Sequence, residues 1–128
     1  MTDNKTLLQC AFKAMKMAYA PYSNFKVGAA LLTESGKIYT GCNIENLSFG
    51  ATVCAERVAI FKAISEGEKS FTKIAIVSSS GEETFPCGIC RQVMIEFMPK
   101  GEIITGTNDN ICVYKVCELL PKGFSNSF

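Results

Sequence analysis

The sequence predicts an α/β fold: one mixed five-stranded sheet covered by helices on both faces, a three-layer α/β/α sandwich. Two observations predict it. Apolar residues alternate between helical spacing and strand-like runs in the order α-β-β-α-β-α-β-β. The chain has 128 residues, of which 48% are hydrophobic, enough for a sizeable core. Residues 1–128 therefore read as a single domain, with no internal repeat, linker or low-complexity stretch.

Leu7, Ala11, Ala14, Met15 and Ala18 fall at helical spacing and predict an amphipathic helix over residues 6–18. Pro21 and Ser23-Asn24 break it. Phe25 to Thr33 reads as a strand, Glu34-Ser-Gly36 as a turn, and Lys37 to Cys42 as a second strand paired with the first in a hairpin. Residues 54–66 form a second helix, apolar on most of its circumference and hence buried, which Gly67 ends. Lys73 to Ser78 is a third strand and Gly81 to Phe85 a loop. Pro86 leads into a third helix over roughly residues 88–98, closed by Pro99 and Gly101. Two short strands follow, Glu102–Thr105 and Ile111–Lys115, around an Asn108-Asp109 turn.

Formal net charge is +1, without the strongly basic balance of a duplex or tRNA binder. A small neutral substrate fits that charge better than a polyanion does, so no nucleic-acid partner is expected. The polar start, Met1-Thr-Asp-Asn, does not read as a signal peptide, and no apolar run approaches the ~20 residues of a membrane span. A cytoplasmic protein without a membrane partner is expected. Seven cysteines make an odd count, which suits metal binding or catalysis better than a secreted disulfide framework.

Two strings carry the chemistry: Cys54-Ala-Glu56 and Pro86-Cys87-Gly-Ile-Cys90, in a chain with no histidine. Three thiolates can hold a zinc ion and leave its fourth position open for water, with a carboxylate beside it for proton transfer. Cys87 and Cys90, three apart at a helix start, present both sulfurs to one side of the first turn. Cys54 opens the preceding helix, so all three sulfurs lie near positive helix ends that offset the excess negative charge. Of the thirteen Lys and Arg residues only Arg57 and Arg91 are arginines, and each directly follows a cysteine string. A guanidinium there donates to thiolate sulfur and drains charge from the metal. Alternatives remain. Cys-Gly-Ile-Cys also has the form of a redox dithiol, although no tryptophan precedes it and the dithiol leaves Cys54-Ala-Glu56 unexplained. A structural zinc would need a fourth ligand from Cys10, Cys42, Cys112 or Cys117, none of which sits in a paired spacing.

These strings resemble the signature of the zinc nucleobase and nucleoside deaminases, a superfamily that includes an all-cysteine variant and uses a glutamate that is not a ligand. The match runs along nearly the whole chain. Phe25-Lys-Val-Gly-Ala-Ala-Leu, Asn43-Ile-Glu45-Asn46, Cys87-Gly-Ile-Cys90-Arg91-Gln92-Val and Leu119-Leu-Pro-Lys-Gly-Phe124 resemble, in order, segments of the small homotetrameric, three-cysteine cytidine deaminases. The resemblance implies a cytidine deaminase-like fold. It implies zinc-dependent hydrolysis of free cytidine and deoxycytidine to uridine and deoxyuridine with release of ammonia, a pyrimidine-salvage step. Cys54, Cys87 and Cys90 would hold one zinc per chain, and Glu56 would move the protons. Phe25, Asn43, Glu45, Ala55 and Phe124 would bind the nucleoside. Arg57, Arg91 and Gln92 would support the ligands from behind.

Asn43 and Glu45 are two apart, so on an extended segment both point to one side, where an amide and a carboxylate can take ribose hydroxyls. A carboxylate there also repels a 3′-phosphate, which favours nucleosides over nucleotides. The resemblance further implies a homotetramer in which Phe124 enters a neighbouring subunit's site, with Phe128 as a rival for that role. Phe49 stands where the family usually has tyrosine, so a hydroxyl is missing. Rival readings are a blasticidin-type aminohydrolase, a tRNA- or DNA-editing deaminase, and a zinc-stabilised binding module without catalysis.

Overall fold

The computed structural model describes residues 2–107 and 109–124. Asp3 caps the first helix, α1 (Asn4–Met15), by accepting a hydrogen bond from the Thr6 amide at 2.8 Å. This cap starts the helix two residues earlier than its apolar spacing does. The helix also ends sooner, because the Met17 and Ala18 amides bond three residues back, to the Ala14 and Met15 carbonyls at 3.0 and 3.1 Å, and so leave Ala18 beyond its last turn. Strands β1 (Val27–Thr33) and β2 (Ile38–Cys42) form the expected hairpin. A short 3-10 turn, Phe49–Ala51, precedes helix α2 (Ala55–Ser65). Strand β3 (Phe71–Ser78), helix α3 (Gly88–Phe97), and strands β4 (Glu102–Thr107) and β5 (Asn110–Lys115) complete the predicted order. One unforeseen turn of helix, α4 (Val116–Leu119), follows, with Glu118 accepting from the Lys115 amide at 3.1 Å. The β4–β5 hairpin closes at the Thr107–Asn110 pair, and Asn108 of the expected turn lies outside the described residues.

The five strands lie in the order β2-β1-β3-β4-β5. Only β3 and β4 are parallel, joined through α3 in a βαβ unit, so the sheet is mixed as expected. Alternate residues of each strand feed opposite cores. Ala30, Leu32, Ala75, Val77 and Ile104 pack against Leu7, Leu8 and Ala11 of α1. Ala29, Leu31, Ile74, Ile76 and Ile103 pack against Ala55, Ala59, Ile60 and Ala63 of α2 and Cys90 and Met94 of α3. Helices thus cover both faces, α1 on one and α2 with α3 on the other.

Two glycines set how closely the helices approach. A Cβ at Gly28 would run into the Ala11 carbonyl and lie 2.7 Å from the Met15 nitrogen. A Cβ at Gly41 would run into the Ala55 carbonyl and lie 2.7 Å from the Ala59 nitrogen. The first turn of α2 therefore rests directly on the backbone of β2.

Strand directions then fix where the helices begin. β2 and β3 are both antiparallel to β1, so they point the same way. α2 follows β2 and α3 follows β3, and both pack on the same face. Their N-termini consequently emerge at one edge of the sheet. The start of β1 lies at that edge too, since Val27 pairs with Ser78 at the end of β3.

Candidate active site

Cys54 is the N-cap of α2 and Cys87 the N-cap of α3, and neither side chain caps its helix by a hydrogen bond. Cys90 lies in the first turn of α3, fully buried. The three Sγ atoms all lie within 4.8 Å of one another, and Cys54 Sγ is 3.6 Å from Cys87 Sγ. Tetrahedral zinc with Zn–S near 2.3 Å requires sulfurs about 3.8 Å apart. The donor set therefore fits zinc in spacing as well as softness. Cys10, Cys42, Cys112 and Cys117 stay outside the cluster, which removes the four-cysteine structural site. The two helix N-termini direct their unpaired amides and positive dipole ends toward the sulfurs.

Arg57 donates from Nη2 to Cys54 Sγ at 3.5 Å. Its buried Nε has no hydrogen-bond partner among the described residues. The Cys54 thiol is held below its ordinary value, first by its hydrogen bond with the Cys90 thiol and then by Arg57, while the Cys90 thiol is pushed up by that same bond and by burial. The structure thus places the Arg57 guanidinium against a cluster sulfur.

Arg91 departs from expectation. Its Nε donates to the Pro86 carbonyl and its Nη1 to the Leu119 carbonyl, both at 2.8 Å. Among the described residues its guanidinium donates to these two carbonyls and to no sulfur. It fastens the approach to Cys87 instead. Gln92 also departs: its amide pairs with the backbone of Phe124 in both directions, at 3.0 Å each. It holds the C-terminal segment rather than a metal ligand.

Glu56 sits in the first turn of α2 with 4% of its surface exposed. Burial pushes its pKa up to about 7, and the Cys54 charge adds to the rise. Its carboxylate is not one of the clustered metal donors. It lines a cavity of about 260 Å³ together with Cys54, Ala55, Cys87, Phe25, Asn43 and Glu45. The structure therefore brings together four of the five residues expected to hold a nucleoside.

Local structure explains the polar end of that cavity. Ile44 bridges to Tyr19 on one side and Val53 on the other, which keeps residues 43–45 extended and turns Asn43 and Glu45 to the same side. Asn43 acts as a missing strand partner: Val27 N donates to its Oδ1, and its Nδ2 donates to the Phe25 carbonyl, each at 2.8 Å. This is why β1 starts at Val27 and not at Phe25. The amide keeps one donor and one lone pair free. Glu45 accepts from the Tyr22 and Ser23 amides at 3.0 and 3.1 Å and from the Ser23 hydroxyl. These bonds, the Ser23 hydroxyl foremost, hold its carboxyl below the usual range. A carboxylate has about four acceptor positions, so one remains for a ligand.

Phe124 does not line the cavity of its own chain and is 85% exposed. Phe128 lies outside the described residues. Phe49 is exposed in the 3-10 turn and lines a shallow groove beside Glu45. The sequence reading missed Ser23, Thr84 and Phe85 as cavity residues. Ser23 read only as a helix breaker and Phe85 only as loop. The one sequence signal for Phe85 is its place directly before Pro86-Cys87.

An α/β/α sandwich whose paired helix starts present three sulfurs beside a buried, non-ligating glutamate defines a class, the zinc-dependent deaminases. Comparison with known proteins agrees. A family model described as the cytidine and deoxycytidylate deaminase zinc-binding region matches residues 1–107, and the chain belongs to that family. A cytidine deaminase of Sporosarcina psychrophila is 47% identical over 127 residues, covering 96% of this chain and 92% of that protein. One of Halalkalibacterium halodurans is 46% identical over 125 residues, covering 96% and 95%. The crystal structure of cytidine deaminase from Burkholderia pseudomallei superposes with a TM-score of 0.90 at 45% identity, covering 97% of this chain and all of that one.

Proposed function

We propose that residues 1–128 act as one deaminase domain that hydrolyses free cytidine and deoxycytidine to uridine and deoxyuridine, releasing ammonia. The observation that carries this reading is one cavity that Asn43 and Glu45, with hydrogen-bonding positions to spare, line together with Glu56 and with Cys54 and Cys87 of the sulfur cluster. A nucleoside carries the matching groups: sugar hydroxyls at one end and an amine-bearing carbon at the other.

Cys54, Cys87 and Cys90 hold one zinc ion, which when bound supplies the Lewis acidity that makes water nucleophilic near neutral pH. Glu56 takes a proton from the attacking water and places it on N3 of the base as the water oxygen bonds to C4. It then delivers the second proton to the amine as the C4–N4 bond breaks and ammonia leaves. One carboxylate serves both transfers because each restores it. Its burial keeps bulk water from competing for those protons. Asn43 and Glu45 use their remaining hydrogen-bonding positions for ribose hydroxyls, and Phe25 offers its ring to the base. The backbone of Ala55, at the first position of α2, borders the reacting end. The negative charge of Glu45 disfavours a 3′-phosphate, so nucleosides are preferred over nucleotides and nucleic acid.

The assembly we propose is a homotetramer in which Phe124 completes a neighbouring subunit's cavity. Exposed Leu47, Phe49, Ile89 and Phe124 offer the apolar surface for it. A cytoplasmic location is consistent with the balanced charge, and no helix among the described residues is long and apolar enough to cross a membrane. The test is to add cytidine, deoxycytidine, cytosine and CMP separately and follow loss of the cytosine absorbance band. Turnover of both nucleosides, with little on cytosine or CMP, is expected. Turnover confined to a blasticidin-type nucleoside would replace this reading with the antibiotic aminohydrolase.

A further inference from the structure

Phe25 and Phe85 are the two aromatic side chains lining the cavity, and only Phe25 has a part in the reading above. Phe85 is 45% exposed, an open position for so large an apolar ring. Several contacts nevertheless fix it in place. Its ring meets Tyr114 of β5 edge-on, with centroids 5.5 Å apart and planes at 60°. The Tyr114 hydroxyl donates to Glu83 Oε2 at 2.9 Å, and the Thr105 hydroxyl of β4 donates to the same oxygen. Next in the chain, Pro86 is buried and its carbonyl accepts from Arg91 Nε at 2.8 Å. The loop from Glu83 to Cys87 is thereby tied to β4, β5 and α3.

Phe85 and Cys87 flank Pro86. The residue before a proline is extended, and Cys87 is extended as well, at φ −71° and ψ 169°. Residues two apart on an extended segment face one side, and both in fact line the cavity. Phe85 is therefore placed at the reacting end, on the same side of the chain as Cys87. A pyrimidine nucleoside bound with its ribose at Glu45 and its N3 toward Glu56 turns its C5 edge to the remaining wall at that end.

We propose that Phe85 is a specificity-determining residue that limits the bulk the pyrimidine ring carries at C5, and that Tyr114 is the positioning residue that holds its ring there. This inference rests on the deaminase reading of the site. A misplaced methyl group in an apolar pocket changes kcat/KM by roughly ten- to two-hundredfold.

The experiment compares the catalytic efficiency of the zinc-loaded protein on cytidine with its efficiency on cytidine methylated at C5. A ratio taken on one preparation cancels any loss of folded or metal-loaded enzyme. The wild-type chain is expected to favour cytidine. Phe85→Ala should raise the relative efficiency on the methylated nucleoside by about tenfold, and Phe85→Leu, which keeps most of the bulk, by much less. Tyr114→Ala should shift the ratio in the same direction as Phe85→Ala. Phe85→Val provides the measurement if the alanine variant does not fold. A ratio that stays at the wild-type value in Phe85→Ala, or in Phe85→Val in its place, overturns the inference while leaving the deaminase reading intact. A wild-type chain that turns over no cytidine overturns both.

Discussion

Cys54 Sγ lies 3.6 Å from Cys87 Sγ, although 33 positions separate the two residues in the chain. Each is the N-cap of a helix, and the two helices begin at one edge of the sheet because the strands before them run in the same direction. Cys90 joins them one helical turn into α3. The metal centre is therefore a junction between two helices, and its ligands join parts of the fold that are otherwise in modest contact.

Removing the metal should loosen that junction. Zinc binding contributes to stability in proportion to how far its concentration exceeds its dissociation constant. Treatment with a strong chelator is expected to lower the melting temperature and abolish deamination, and added zinc should restore both. Cys87→Ser should reduce bound zinc well below one per chain by metal analysis. Full zinc content in that variant would show that the sulfurs do not form the site.

Glu56→Gln keeps the volume and removes the proton acceptor. Zinc content and melting temperature are expected to stay near wild type, since the carboxylate lies outside the sulfur cluster. Turnover of cytidine should fall by at least about 10³-fold, within the range for removal of a general acid–base group. Activity within about tenfold of wild type would remove Glu56 from the proton path.

The two arginines separate cleanly. Arg57→Ala removes the donor to Cys54 Sγ and should speed zinc loss to a competing chelator by about tenfold, the scale set by ligand-supporting groups. Arg91→Ala leaves the Pro86 and Leu119 carbonyls without their charged donor, and should lower stability by roughly 2 kcal/mol. Urea unfolding and a chelator competition assay on both variants would check the pair. Equal zinc-loss rates in the two would contradict the division.

Gly41→Val should be among the most damaging single changes outside the cavity. Its side chain would meet the Ala55 carbonyl and Ala59 nitrogen in the first turns of α2. Overpacking of this kind costs about 1–3 kcal/mol, and it also displaces the turn that carries Cys54 and Glu56. Loss of both stability and activity is expected from thermal melts and the absorbance assay. A variant with wild-type melting and turnover would show that the helix does not rest on the strand.

Glu83 gives the fold an acid dependence. Hydrogen bonds from Thr105 and Tyr114 hold its carboxyl below the ordinary value of 4.5, the Thr105 bond foremost. A depressed folded value means that the unfolded chain binds the proton more readily, so stability from Glu83 is present above about 4.5 and is lost as pH falls through the lowered folded value. The stability difference between wild type and Glu83→Gln should be constant from about pH 6 to 8 and shrink below roughly pH 4.5. A difference that does not change on acidification would show that Glu83 is not bonded as an ionised group.

Much of this architecture is legible in the sequence for local reasons. Unbroken apolar runs in β1 and β3 announce strands buried on both faces, and each of the three long helices is bounded by its own turn or cap residues. Boundaries shift where a side chain replaces backbone pairing: Asn43 takes the place of a strand partner and delays β1 to Val27. Turn α4 is not legible because four residues carry no periodicity. Arg57 and Arg91 look alike in sequence, each directly behind a cysteine string, and only the acceptors that folding brings to each guanidinium distinguish them.

The donor chemistry is written in the chain itself: three sulfurs, no histidine, and a glutamate in the first turn of a helix. So is the order of elements, because periodicity and turn residues act over a few positions. That β2 and β3 run in the same direction is a property of the folded sheet, since it depends on pairing between distant strands. That pairing brings Cys54 to Cys87 and makes one site from two strings. Folding also makes Phe85 a cavity wall. A loop phenylalanine acquires a place only from what packs against it, and here Tyr114, from the far edge of the sheet, supplies that contact.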